Sequence, residues 1–306
     1  MSLTHVSIGA TLKKIRENKG YTQKEISDDT MARSTYTKFE RNDITPTLSK
    51  YLAILDHLDM PHEEFLYLLN DYTLGEKETI LYLFKQLEKK LDLALLDEII
   101  EKGEQLVQER YDQLILDILN ACRGYKVLFQ ENDLSKAKKH AKKAWERLET
   151  LDYWYLTELH VLNSILYVFD SEAAVMLTEQ ALSNLKRYTH FEEAATLKIS
   201  FLLHLTNLLM MDKKYAEALP YLEQMEAASR DSQNLIMWAT ALVRKEVCLT
   251  ETGDTTEHGL INKAIQLFEL LDKKELKSLV EKDPENFYNL YAAYPAEKIK
   301  DELTMN

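Results

Sequence analysis

Apolar residues recur along this chain at the three-to-four-residue spacing of helices almost from end to end, so the breaks between helical runs carry the organisation. Near the N-terminus Ile8, Leu12 and Ile15 fall at i, i+4 and i+7 and predict one helix with a single inward face. Gly20 stops it, and Thr22 with Glu25 three residues on forms a capping box that opens a second helix, running to about Asp29. A short turn, Thr30 to Ala32, leads to a third helix from Arg33 to Arg41. Asn42 to Pro46 breaks that helix, Thr47 starts a fourth with Leu48, Leu52 and Leu55 inward, and Pro61 opens a fifth. Two short helices joined by a tight turn and braced on both sides are the plan of a helix-turn-helix unit, whose second member enters the major groove of DNA.

From about Leu74 the breaks return at a regular interval. Helix starts are expected near Asp112, Tyr153, Glu192 and Gln233, and second helices lie between them: DLSKAKKHAKKAWERL, SEAAVMLTEQALSNL, KYAEALPYLEQMEAA and HGLINKAIQLFELL. Small residues seven apart (Ala137 and Ala144, Ala174 and Ala181), then Ala218 and Ala264, let paired antiparallel helices approach closely. Stacked pairs bury a continuous core and curve the array. KYAEALPYLEQMEAA resembles a tetratricopeptide second helix. ETILYLFKQLEKK and LALLDEIIEKGEQLVQE read as a further divergent pair, and PENFYNLYAAYP as a terminal cap. The expected fold is all-α: a helix-turn-helix bundle over residues 1–70, then a right-handed superhelix of tetratricopeptide-like pairs over 74–306.

The first helix of each pair should line the concave surface, and a polar minority recurs on those helices. His160, Ser200 and Thr240 stand 40 residues apart, as do Ser164, His204 and Arg244. Asn163, Tyr167 and Asn207 share the stripes, with Asn120 and Arg123 one repeat earlier. An Asn side chain can both donate to and accept from a peptide backbone, so Asn163 and Asn207 are expected to hold an extended peptide regardless of its sequence. Arg244 would fork onto the peptide's C-terminal carboxylate, and Trp238 and Tyr167 would supply apolar walls. The bland alternative is that some of these groups are satisfied inside the array, or that varying loop lengths let the register drift by a turn.

The run IGATLKKIRENKGYTQKEISDDTMARSTYTKFERNDITPTLSKYLAIL resembles the Xre/Cro-type domain, and within that group the Rgg-type regulators. TQKEIS, STYTKFER and LSKYLAILD carry the match in the right order. The resemblance implies that Gln23 matches the glutamine that contacts a backbone phosphate, and that Arg33, Ser34, Thr35 and Lys38 form the leading face of the recognition helix. Arg and Lys there can read guanine, while Ser and Thr reach bases or phosphates. Tyr36 and Phe39 read as core, and Glu40 as the internal ion-pair partner of Arg16. Asn42 stands where the wider group has glycine, a change that a left-handed backbone tolerates. The resemblance further implies a homodimer that binds a near-palindromic double-stranded operator and a short signalling peptide.

Composition agrees with helices: 7 Gly and 5 Pro in 306 residues are too few for the many turns of a strand-rich fold. Nine Lys/Arg against six Asp/Glu in residues 1–50 give a net of +3, which leaves −16 for the remainder of a chain at −13. A weakly basic head on an acidic body suits one small DNA-contacting surface. The lysines at 136, 138, 139, 142 and 143 are the exception, a basic helix that reads as a solvated face or a secondary contact.

Cys122 and Cys248 stand alone in apolar runs and read as small buried hydrophobes in a reducing compartment. Met1 to Ala10 lacks the basic start and apolar block of a signal peptide, and the most apolar run, Ile199 to Met211, is short for a bilayer. The expectation is a cytoplasmic protein without membrane contact. No phosphate-binding glycine loop, HExxH or nucleophile elbow is present, so an enzyme is not expected, nor any cofactor or metal. Three classes remain: a peptide-responsive regulator, a regulator controlled by a protein or small molecule, and a repeat-based interaction scaffold.

Overall fold

Gly20 ends the first helix in a left-handed turn at φ +78°, and Thr22 with Glu25 makes the capping box reciprocally at the start of the second. These two signals set the first turn of a five-helix bundle in the computed structural model, which describes residues 8–87, 92–254, 258–285 and 287. The bundle comprises α1 (Ile8–Asn18), α2 (Gln23–Ser27), α3 (Arg33–Glu40), α4 (Leu48–His57) and α5 (His62–Leu69). Leu12, Ile15, Ile26, Tyr36, Phe39, Ile54, Leu55, Leu58 and Phe65 fill its core. Tyr36 and Phe39 are thus core residues, as the sequence implies.

The inward face of α4 differs from expectation. Leu48 and Leu52 are 71% and 49% exposed, and the helix buries Ile54, Leu55 and Leu58 with Tyr51 packed beside them. Leu48 sits in the first turn, beyond the core's edge. Leu52 lies one residue, hence about 100°, round from Tyr51.

The chain divides into two compact units, Met1–Leu81 and Tyr82–Asn306, with the boundary inside α6 (Glu76–Leu87). The second unit continues through α7 (Leu93–Glu109), α8 (Gln113–Glu131), α9 (Leu134–Leu148), α10 (Leu156–Ile165) and a 3-10 turn, Leu166–Val168. Then come α11 (Ser171–Leu185), α12 (Glu192–Met211), α13 (Tyr215–Asp231), α14 (Leu235–Thr252), α15 (Leu260–Leu270) and α16 (Lys274–Lys282). Among the described residues there is no strand. Each expected first helix begins within three residues of its anticipated start. Side chains at Asp92, Asp112, Asp133, Asp170 and Asn234 accept from the amides that open α7, α8, α9, α11 and α14, which fixes where those helices start.

Packing within the array follows the small residues. Ala137, Ala144, Ala174, Ala181, Ala218 and Ala264 are all fully buried. Gly103 on α7 and Gly124 on α8 go further. A Cβ at Gly103 would lie 2.8 Å from the Leu119 side chain, and one at Gly124 would lie 2.7 Å from the Tyr167 hydroxyl and 3.3 Å from the Ala137 carbonyl oxygen. The expected terminal cap falls mostly outside the described residues, although Phe287 is fully buried against Phe268, with ring centroids 6.0 Å apart.

The apolar run that looks short for a bilayer is part of the 20-residue α12, whose mean hydropathy of 1.4 meets the length and composition of a span. With 67% of that window buried inside the unit, α12 is the central helix of the array. Cys122 and Cys248 are free and buried, and burial raises both thiols, Cys248 to about 12.

Candidate DNA-reading and ligand-sensing sites

Four contacts hold α3 against the bundle. Gly9 of α1 approaches so closely that a Cβ there would meet the Phe39 carbonyl oxygen at 2.0 Å. Asn42 turns the chain at φ +61°, and its side-chain oxygen accepts from the Gly9 amide at 2.9 Å, a bond glycine could not offer. The Glu40 carboxylate receives Arg16 through Nε at 2.5 Å and Nη2 at 3.1 Å, the expected ion pair, with both residues buried. Gln23 completes the set: its Nε2 donates to Glu40 at 2.8 Å, and its Oε1 accepts from the Thr37 hydroxyl at 3.0 Å. So held, α3 presents Arg33, Ser34 and Lys38 to solvent, with Thr35 half-buried beside them.

Gln23, assigned a phosphate by resemblance, therefore has both ends of its carboxamide engaged internally. It joins the front of α2 to α3 as well as flanking the outward face. This double use was not legible from spacing, because nothing in TQKEIS says which way the amide turns.

The second site reads differently from its sequence. The recurring polar residues mostly bond one first helix to the next. Asn163 on α10 donates to the Ser200 hydroxyl on α12 at 2.8 Å. Arg244 on α14 is fully buried, and its Nη1 donates to the Leu203 carbonyl at 2.8 Å and the Thr206 hydroxyl at 3.0 Å, both on α12. The guanidinium expected to meet a peptide carboxylate is thus occupied as a brace between repeats. His160 is likewise buried, with Nε2 2.5 Å from Glu193, which also takes Lys85 of α6. The His160 bond, followed by that from Lys85, holds the Glu193 carboxyl down at about 2. Lys85 was not among the expected site residues, and the 40-residue periodicity could not have found it, since α6 precedes the regularly spaced helices.

The remaining candidates stay more open. Asn120, Arg123, Tyr167, His204 and Trp238 are half-buried. Arg123 pairs with Glu104 at 2.6 Å, and Trp238 lies under Arg230 and Lys263, whose charges are 5.5 and 4.8 Å from its ring centre. Tyr167 stacks on Tyr125 at 5.2 Å, yet its buried hydroxyl has no hydrogen-bond partner among the described residues. Desolvation, then the charge of Arg244, lowers His204 to about 4, opposed by a bond to the Asn163 backbone. Asn207 is 4% exposed; among the described residues its amide nitrogen reaches only the Met211 sulfur, at 3.5 Å, and its Oδ1 has no partner.

Fold and sites together define a helix-turn-helix DNA-binding protein with a helical-repeat second unit. The family model for the C-terminal domain of the HTH-type transcriptional regulator Rgg matches residues 93–282, and a helix-turn-helix model matches residues 12–65. The chain belongs to the Rgg family of transcriptional regulators. No curated protein matches it significantly. Among solved structures, one from Listeria monocytogenes EGD-e assigned as a transcriptional regulator superposes with a TM-score of 0.72 at 21% identity, covering 92% of this chain and 97% of that one. The SHP pheromone receptor Rgg2 of Streptococcus dysgalactiae gives 0.69 at 15% identity, with 91% and 99% covered. PlcR of Bacillus thuringiensis, solved in complex with the peptide PapR7 and DNA, gives 0.63 at 19% identity, with 90% and 98% covered.

Proposed function

We propose that this regulator is a cytoplasmic homodimer that sets one α3 in each half of a near-palindromic double-stranded operator. Its repeat unit takes up a short, mostly apolar signalling peptide that alters promoter binding, as in quorum sensing. The role is one of binding, with no catalytic step. Arg33 and Lys38 read base edges, Ser34 and Thr35 reach bases or phosphates, and Gln23 meets a flanking phosphate.

The observation that carries the peptide reading is Asn207. A buried amide carbonyl without a partner costs about 1–3 kcal/mol, and a peptide N–H is the donor it lacks. An extended peptide that parts the inner helices would satisfy Asn207 and the Tyr167 hydroxyl. Asn120, Arg123, His204 and Trp238 would flank it. His160, Asn163 and Arg244 contribute as braces that must exchange partners, so binding favours a second arrangement of the array. The likeness to structures described as a pheromone receptor and as a peptide–DNA complex supports this reading.

The test begins with a duplex selected from a random pool by the full chain. Binding to it is then measured with and without short peptides fractionated from the culture medium of the cells that make the protein. One peptide fraction should shift affinity for the duplex. Asn207→Ala should weaken peptide binding by about 1–3 kcal/mol and leave peptide-free DNA binding intact. Arg33→Ala should lose about 1–3 kcal/mol on the duplex and relax preference at one base position. A peptide-insensitive protein, or Arg33→Ala with unchanged base preference, overturns the corresponding half.

A further inference from the structure

Helix α9 buries Ala137, Ala141, Ala144 and Leu148, which leaves its other face outward. On that face Lys138, Lys139, Lys142 and Lys143 are all exposed. They stand at i, i+1, i+4 and i+5, two adjacent columns each about 5.4 Å, one helical turn, long. Some lysines of this unit sit with acids: Lys102 with Glu98 at 3.7 Å, Lys126 with Asp97 at 2.5 Å, and Lys136, on α9 itself, with Glu131 at 2.7 Å. Among the described residues none of the four makes an ion pair. Glu146, the one acid of α9, is exposed one turn beyond Lys142 without pairing to it. Four like charges within about a turn oppose the helix that carries them, so their placement serves nothing internal. His140 on the same helix is held below its ordinary value by burial first, then by Lys143 and Arg123.

The chemistry of the patch selects its partner. Bidentate recognition of carboxylates and base edges favours arginine, whereas lysine acts as a point charge toward phosphate. No exposed aromatic interleaves the lysines to stack a base. The chain beyond residue 50 carries −16 and repels DNA, so this unit can approach a duplex only through a patch of the opposite sign. A DNA-binding element on the same chain raises the local duplex concentration, so a few phosphate contacts suffice.

We propose that the lysine face of α9 is a second DNA contact, made to phosphates without regard to sequence, which lengthens the footprint beyond that of α3. The proposal rests on operator binding by the N-terminal unit. Its test uses the full chain and a variant with Lys138→Gln, Lys139→Gln, Lys142→Gln and Lys143→Gln, all at exposed positions. Each is titrated with salt on the selected duplex alone and on the same duplex extended by random sequence at both ends. On the extended duplex the variant should show a shallower dependence of log affinity on log salt, by about 0.9 for each phosphate no longer neutralised. On the short duplex the two proteins should coincide, and the variant should melt no lower than the wild type, since it loses like-charge repulsion along α9. Identical slopes on the extended duplex overturn the proposal. So would a variant that binds both duplexes normally but no longer binds polyglutamate, which would make the partner an acidic protein. A wild-type chain that binds no selected duplex sinks the operator reading, and this proposal with it.

Discussion

The Glu40 carboxylate takes three hydrogen bonds from two neighbours, Arg16 and Gln23, and its worth lies in that sharing. Arg16 and Glu40 are 7% and 3% exposed, so removing one leaves the other charged and buried. Glu40→Ala should therefore destabilise the N-terminal unit by about 3–5 kcal/mol, read by urea unfolding. The same change frees Gln23 from one of its two bonds, so the recognition helix should loosen as well. His204 has the opposite character, a group kept neutral by its surroundings. Its folded value near 4 lies below the ordinary 6.5, so between those values the unfolded chain binds more protons than the folded one. Stability that is full above about pH 6.5 should fall as pH drops toward 4, by roughly 1 kcal/mol at pH 5 after allowance for partial exposure. Comparing melting at pH 7 and pH 5 checks this: His204→Gln should lose less than wild type. Glu193 responds in a lower window, from its ordinary 4.5 down to about 2, so the two effects separate. Which residues are polar on the inner helices was legible in the sequence at this scale. What they bond was not, because a 40-residue spacing places Asn163 near Ser200 without saying whether each faces the groove or the other.

At the scale of helices, boundaries were most legible where a side chain itself ends or starts the element. The capping box at Thr22 and the aspartate caps fixed those ends closely. The facing of α4 was not legible, because its leucines offer a second, competing stripe and only packing against α2 and α5 chooses between them. The contact of α8 with α9 offers a direct check of close approach. Gly124→Ala places a methyl group against the Tyr167 hydroxyl and the Ala137 carbonyl, and should cost about 1–3 kcal/mol of stability. Tyr167→Phe removes the unpartnered hydroxyl and should be nearly neutral alone. Combined with Gly124→Ala it should recover part of the loss, and a double-mutant cycle by denaturation measures that coupling. Strict additivity would mean that the Ala137 carbonyl, and not Tyr167, sets the spacing.

For the whole molecule, the repeat interval and the charge imbalance between head and body are both visible in the bare order of residues. The junction is not, since the boundary falls inside α6, whose Lys85 bonds to Glu193 of the array. The bonds that α12 receives from α10 on one side and α14 on the other have a consequence in time. A helix tethered on both flanks can exchange its amide hydrogens for deuterium only when the array around it comes apart, whereas end helices can fray singly. Amides of Phe201 to Leu209 should thus be the slowest in the chain, exchanging at the rate of global unfolding, and those of α16 among the fastest. Replacing Arg244 with Met, which keeps the bulk but cuts the tether from α14, should bring the α12 amides into a faster, local class. Should α12 already exchange as quickly as α16 in the unaltered protein, the central helix would be a free-standing member of the stack, and its early and late deuterium profiles would look alike.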